Sequence, residues 1–199
     1  TAGPFVYNLM AVKEGSINSC SQTQTGSATI TVNQLPTATI SGSTEVCLNA
    51  AEPLITFTGA GGTAPYTFLY NIDGGINKVV FSTTGNSVTV PVPTNVAGTY
   101  TYNLLRVQEG SGNSCSNAQT GSAIVVVNPL PSVDFNTTIP ACETGMVNFT
   151  DVTIANAGIV NNWQWDFGDP GSGANSTSTL QNPTHIFSSA GVYNVTLKV

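Results

Sequence analysis

Charged side chains are scarce in this chain: 7% of its 199 residues are Asp, Glu, Lys or Arg, against about 25% in ordinary globular proteins. Only four are basic, Lys13, Lys78, Arg106 and Lys198, and they are scattered. No cluster exists to displace counterions from phosphates or to seat on anionic lipid, which argues against nucleic acid and membrane surfaces as partners. The single histidine, His185, leaves little room for acid–base or metal chemistry. No apolar run approaches 18 residues, so no transmembrane helix is expected, and no signal peptide opens at Thr1. Gly-x-Ser-x-Gly, His-Glu-x-x-His and P-loop motifs are all missing. So is the i, i+3, i+4, i+7 recurrence of apolar residues that marks a helix.

What remains is strand chemistry. Val, Ile, Tyr and Phe supply much of the 40% apolar content, and β-branched and aromatic residues suit a pleated, half-buried surface. The polar surface falls to Ser, Thr, Asn, Gln and Gly. Period-2 runs begin at Thr37, Leu54, Tyr66, Asn77, Ser87, Gly98 and Ser122, separated by Gly, Pro and Asn turns. Seven strands in about 95 residues is the pattern of a small β-sandwich. "IDGGIN" at Ile72 to Asn77 reads as a hairpin turn, its adjacent glycines tolerating positive φ.

The chain also repeats itself. Ala2 to Pro36 aligns without a gap on Ala97 to Pro131, with roughly two thirds of positions identical, an internal repeat of the kind that defines tandem architectures. The offset of 95 residues also relates Cys47 to Cys142. Proline-bearing joints, "VNQLP" from Val32 and "VNPLP" from Val127, end one unit and begin the next, and prolines make such joints semi-rigid. The expected organisation is a partial unit at 1–36, a complete unit at 37–131 and a third at 132–199 lacking its last strand. The two outer units read as cut, so that the chain is a window onto a longer repetitive protein. Stacked end to end, such units would form an extended rod, each adding on the order of 30–40 Å.

Four cysteines at repeat-related positions suggest disulfides in an exported protein. An intradomain Cys47–Cys115 bridge is the favoured expectation; it would close a loop of about 69 residues, worth roughly 4 kcal/mol in the chain-entropy model. The rival pairing is Cys20–Cys47 with Cys115–Cys142. Against the first stands a geometric objection: the two cysteines can lie at opposite ends of a regular sandwich, whereas a bridge needs Cα atoms within about 7 Å.

From Asn162 the sequence runs "NWQWDFGDPGSGANSTSTLQNPTHIFSSAGVYNVTLKV". This resembles the PKD (polycystic kidney disease) domain, an Ig-like β-sandwich. The resemblance rests on Trp165, Asp166, Phe167, Gly168 and Asp169, then Asn182, Pro183 and His185, Phe187, and the Gly191-x-Tyr193 run to Val199. Pro170 departs from the glycine usual after the second Asp, and "PGSGA" is expected to enlarge that turn. "TFTGAGGTAPYTFLYNIDGG", "AGTYTYNLLRVQ" and the joints are similar to PKD-like or Ig-like repeats of very large surface proteins of Bacteroidetes. The expected fold class is therefore all-β, with tandem Ig-like/PKD sandwiches. The resemblance implies export through the outer membrane, commonly by type IX secretion, and a cell-surface location. It also implies a role in adhesion or gliding motility. Implied partners are neighbouring repeats, secretion and anchoring machinery, and surface glycans or the substratum. A spacer array in an extracellular polysaccharide hydrolase or protease is the main alternative; a carbohydrate-binding module is the third.

Candidate chemistry is thin, and no enzyme is expected. Asp166 and Asp169, three apart around a glycine, are read as turn-capping carboxylates. Weak calcium binding, with help from Asp134 and Asp151, is the lesser reading, and no other cofactor is expected. His185 is expected to pack on Trp165 or to bond backbone. Trp163, Trp165 and Phe167 alternate on one strand and, with Tyr66, Tyr70, Tyr100 and Tyr102, are expected in the core. Sequons at Asn136, Asn148, Asn175 and Asn194 are expected by chance in so Asn/Ser/Thr-rich a chain.

Overall fold

A computed structural model describes residues 2–15, 17–138 and 145–199. The chain forms two compact units, one of Thr1–Thr44, Glu52–Pro93 and Thr99–Val125, the other of Glu45–Ala51, Thr94–Gly98 and Val126–Val199. Its secondary structure is nearly all β. The first repeat copy gives β1 (Gly3–Asn8), β2 (Ala11–Lys13), β3 (Ser21–Thr23) and β4 (Ser27–Val32). Then follow β5 (Thr37–Ser41), β6 (Thr44–Cys47), β7 (Leu54–Ala60), β8 (Thr67–Ile72), β9 (Lys78–Phe81) and β10 (Ser87–Pro91). The second copy gives β11 (Gly98–Gln108), β12 (Ser116–Ala118) and β13 (Ser122–Asn128). The remainder holds β14 (Phe135–Thr137), β15 (Met146–Asp151), β16 (Gln164–Asp166), β17 (Thr177–Ser178), β18 (Thr184–Ile186) and β19 (Thr196–Lys198).

Two sheets carry the central core. One has the order β10-β7-β5; the other runs β6-β13-β11-β8-β9, with β12 also paired to β11. Alternation decides what each strand buries. On β7, Ile55 and Phe57 are buried while Thr56 and Thr58 are not. On β13, Ala123 and Val125 are buried. Phe57 meets Phe68 and Tyr70 of β8 at ring-centroid distances of 5.7 and 5.1 Å, and Tyr70 stacks on Tyr102 at 6.1 Å. Burial raises the pKa of both tyrosines, and the Tyr70, Asp73 and Tyr100 charges push Tyr102 further the same way. Tyr66 and Tyr102 are buried as expected, whereas Tyr100 is only half-buried.

Every strand read from the sequence between Thr37 and Asn128 is present. The structure adds β6 and β12, which are too short to show periodicity. The turn after β8 differs in detail. Gly75 N–H bonds Ile72 O at 2.9 Å, and the positive φ values fall on Asp73 (53°) and Gly74 (71°) rather than on the two adjacent glycines. Asp73 Oδ1 then accepts from Thr101 N–H at 2.7 Å. An aspartate tolerates that conformation because its short polar side chain bonds locally.

The two repeat copies share a hydrogen-bond pattern as well as a sequence. Leu9 N–H bonds Gly26 O at 2.9 Å, and Leu104 N–H bonds Gly121 O at 3.0 Å. Gln24 to Met10 and Gln119 to Leu105 form the next matched pair, at 3.0 and 2.9 Å. Glu14 to Cys20 and Glu109 to Cys115 form a third, at 3.1 and 3.0 Å. Ser19 and Ser114 both hold positive φ, 46° and 47°. In the second copy the buried Glu109 carboxylate organises the tip. It accepts from the backbone N–H groups of Thr63, Ser111 and Cys115 at 3.2, 3.0 and 3.1 Å, and from the Ser111 hydroxyl. The Ser111 hydroxyl is the main cause of its lowered pKa; burial opposes it, and the three amides assist.

The expected Cys47–Cys115 bridge is not formed; Cys20, Cys47 and Cys115 are free thiols, and Cys142 lies outside the described residues. Strand polarity supplies the reason. Leu48 N–H bonds Asn128 O at the end of β13, whereas Cys115 bonds Glu109 just past the end of β11. Leu104 bonds Gly121 before the start of β13, so the two cysteines attach to opposite ends of these strands, whereas a bridge needs Cα atoms within about 7 Å. Both proline-bearing joints are tied by amide side chains instead: Asn117 Nδ2 donates to Pro36 O at 3.1 Å, and Asn156 Nδ2 donates to Leu130 O at 2.8 Å.

Phe57→Ala is expected to cost ~3–5 kcal/mol of unfolding free energy through the cavity it leaves. Thr56→Ala, on the other face of the same strand, is expected to cost about 0.5 kcal/mol or less. Chemical denaturation of the two variants checks the assignment of faces.

Candidate functional site

The motif residues gather where β16 ends. β16 pairs with both β17 and β19, Trp165 lying opposite Ser178 and Leu197. Alternation sends Trp165 inward and leaves Gln164 and Asp166 exposed. Trp165, Phe167, Val147 and Phe149 form the core of this region, with Phe135, Trp163, Phe187, Val195 and Leu197 packed against it. Trp165 contacts Phe135 edge-on at 5.1 Å and Phe149 at 5.5 Å, and its Nε1–H donates to Leu180 O at 2.9 Å. Trp163, expected in the core, is half-buried because its Nε1–H reaches the Asp151 carboxylate at 2.8 Å.

Beyond Trp165 the chain turns sharply. Asp166 Oδ1 accepts from Gly168 N–H at 2.9 Å, a local cap of the strand-to-turn transition. Gly168 has φ of +63°, and a Cβ there would stand 2.5 Å from Asn194 O. Only glycine fits both the conformation and the close backbone approach. The "PGSGA" insertion becomes part of a short 3-10 stretch, Pro170–Ser176, anchored by Ser172 N–H and Oγ–H bonds to Asp169 O.

Asp169 is the centre of the arrangement. It is 1% exposed, and His185 is 4% exposed. Asp169 Oδ2 accepts from His185 Nε2–H at 3.1 Å and from Ser188 N–H at 2.8 Å, and Oδ1 accepts from Ser188 Oγ–H at 2.5 Å. Burial pushes the carboxyl pKa up, but the Ser188 hydroxyl and amide and His185 outweigh it and hold it below the ordinary value. His185 stacks on Phe167 at 4.3 Å with an 11° interplanar angle and meets Phe187 edge-on at 4.6 Å. Phe187 stacks on Tyr193 at 4.2 Å, and Tyr193 Oη donates to Ser189 O at 2.8 Å over Gly191. The histidine's partners are thus Phe167, Phe187 and Asp169, and not Trp165 or backbone.

The other motif residues tie β15 into the same region. Asn182 Oδ1 accepts from Asp151 N–H at 2.9 Å, and Pro183 O accepts from Phe149 N–H at 2.9 Å. Asp151 collects Thr153 N–H, Trp163 Nε1–H and Gln181 Nε2–H at 3.0, 2.8 and 3.3 Å. Its pKa, raised by burial, is lowered on balance by those donors. Asp134 Oδ1 accepts from its neighbour Phe135 N–H at 2.8 Å.

The calcium candidates are not brought together as a solvent-facing pair: Asp166 is exposed, and Asp169 is buried under three donors. Among the described residues no group of three or more His, Cys, Asp or Glu is placed to hold a metal ion. A groove of ≈ 670 Å³ lined by Gln164, Asp166, Thr177, Thr179, Thr196 and Lys198 runs beside β16. Trp165 also borders it but is only 2% exposed, so it offers no stacking platform. Ser188 is the participant that sequence reasoning missed. Its signal was slight, a hydroxyl directly after the motif's Phe187.

Residues 128–199 match the family model described as PKD domain. That stretch holds β14 to β19 and every motif residue described above. PKD domains are typically extracellular, non-catalytic modules.

Asp169, Asp151 and Glu109 all have folded pKa values below their unfolded ones. Their contribution to stability is therefore full above the ordinary carboxylate range, about pH 4, and is lost as pH falls through the folded values. Urea midpoints measured from neutral pH downward are expected to fall in that acid window. Asp169→Asn is expected to be less stable at neutral pH and to lose less on acidification. Gly168→Ala is expected to cost at least ~1–2 kcal/mol from the left-handed conformation alone, and its Asn194 contact should raise that loss in thermal or urea unfolding.

Proposed function

We propose that this chain is a non-catalytic stalk segment of a very large exported cell-surface adhesin, serving surface attachment or gliding motility. One observation carries the reading. The lone histidine and the buried motif carboxylate spend their hydrogen bonds on each other and on Ser188, under a roof of Phe167, Phe187 and Tyr193. A catalytic histidine needs a nucleophile and an open approach; this one is walled in by aromatic rings and serves to fasten a loop.

Three further features support a mechanical role. The repeat reproduces one hairpin down to its hydrogen bonds. Each proline-bearing joint is tied by an asparagine amide to a backbone carbonyl. Strands closed into ladders and joints with few free torsions pass tension along the backbone instead of unravelling locally. A surface poor in charged groups and rich in hydroxyls and amides limits repulsion between neighbouring rods. Type IX secretion and outer-membrane attachment complete the proposal, with neighbouring repeats and anchoring machinery as partners. Surface glycans or the substratum would meet the adhesive end.

Peptide mapping of the native polypeptide that carries this sequence tests the proposal. A very large chain with further "VNPLP"-type joints and no catalytic domain is expected. A hydrolase or protease domain on the same polypeptide would make these sandwiches spacers and end the adhesin reading. In small-angle scattering, an extended arrangement gives a radius of gyration well above the ~16 Å of a compact globule of this length.

A further inference from the structure

The two central sheets end on β5 and β10, and on β6 and β9. An open edge strand offers unpaired N–H and C=O groups to any other strand, and natural proteins blunt such edges. Three of these strands are blunted. Ala38 N–H of β5 is taken by the Gln119 side-chain oxygen at 2.9 Å. β10 carries Pro91, which has no N–H, and its other exposed residues are Ser87 and Thr89. β6 exposes the Glu45 carboxylate. β9 differs: it exposes Val79 at 60% and Phe81 at 61%, and among the described residues it pairs with β8 alone. It lies in mid-chain, between the strands that precede and follow it in the same sandwich.

The backbone of β9 is aimed outward at those same two residues. Ser82 N–H bonds Tyr66 O at 2.9 Å, so Ser82 faces β8. In an antiparallel ladder that direction alternates residue by residue. Val80 therefore also faces β8, and the N–H and C=O groups of Val79 and Phe81 point out from the open edge. Their side chains share one face as well. Lys78 and Val80 stand opposite the buried Tyr70 and Phe68, whereas Val79 and Phe81 stand opposite Leu69 and Thr67 on the outer face.

We propose that β9 pairs edge to edge with β9 of a second copy of this chain, antiparallel about a two-fold axis at Val80. In this register the strand complements itself: Val79 lies opposite Phe81 of the second copy, and Phe81 opposite its Val79. Both residues of each pair have free backbone groups, so each pair exchanges two hydrogen bonds. Each also sets an aromatic side chain beside a β-branched one, a favoured cross-strand contact. An axis at Val79 would instead put Phe81 opposite Asn77 and Lys78 opposite Val80. About Val80, Lys78 falls opposite Ser82 at the rim, so no charge is buried and no two lysines meet. A four-residue edge covers much less than the ~1,200 Å² of a stable interface, so the contact is weak and reversible. This inference concerns how copies meet and does not rest on the stalk reading.

Analytical ultracentrifugation of the full chain, thiols kept reduced and concentration raised to about 1 mM, tests it. Wild type is expected to dimerise reversibly. Val79→Lys and Phe81→Glu both alter exposed side chains, so folding is retained. Each alone is expected to weaken dimerisation at least about tenfold, because it lays an unpaired charge against an apolar neighbour. Mixing the two variants is expected to restore association, since this register sets the new ammonium of one copy beside the new carboxylate of the other. A wild-type chain that stays monomeric overturns the proposal and leaves the edge to a foreign strand. Dimerisation that both variants retain overturns it by placing the contact elsewhere. Weakening without recovery in the mixture also overturns it, since apolar contact without strand register gives that result.

Discussion

A β-strand is finished only by residues from elsewhere in the chain. Its backbone needs a neighbour on each edge, and its apolar face needs a second sheet. With no α-helix among the described residues to cover a sheet, this chain meets that requirement by closing small sheets on one another. Ile55 and Phe57 are buried in the sandwich of β7 and its neighbours, and Phe149 and Trp165 at the PKD region.

Scarce charge gives each buried or half-buried carboxylate a structural meaning. Glu109, Asp151 and Asp169 each gather three or more donors, and each holds together loops distant in sequence. A carboxylate offers about four lone-pair sites and so can fasten several backbone N–H groups at once. Desolvating such a group is costly, and the donors it collects offset that cost. No described buried side-chain polar atom lacks a partner, so these anchors read as finished structure. With no disulfide among the described cysteines, carboxylate anchors and asparagine clamps carry the cross-linking that bridges were expected to supply.

The PKD region puts its most reactive-looking residues to the same use. His185, Asp169 and Ser188 include a familiar trio of residue types, but the carboxylate stands in the middle and both other groups donate to it. Ser188 Oγ–H is turned toward Asp169 and not toward His185, so the three are not ordered as a serine–histidine–carboxylate relay. Residue types alone suggest a relay, whereas donor direction shows a different arrangement. A PKD domain suggests an extracellular, non-catalytic module.

Period-2 alternation made the strands of residues 37–128 legible, because a half-buried sheet writes its two faces directly into the sequence. The 95-residue repeat and the Trp165–Asp169 to Tyr193 motif were equally plain, since both are local or in-register features. Short strands such as β6 and β12 escaped because three or four residues carry too little periodicity. Pairings between distant side chains escaped for a different reason. That Asp169 binds Ser188, that His185 stacks on Phe167, and that Cys47 and Cys115 stand at opposite strand ends depend on which loops meet in space. Sequence by itself determined the strands, the repeat and the motif, through spacing along one chain. Only tertiary structure decided the partners, because hydrogen-bond direction and strand polarity exist only once sheets have closed.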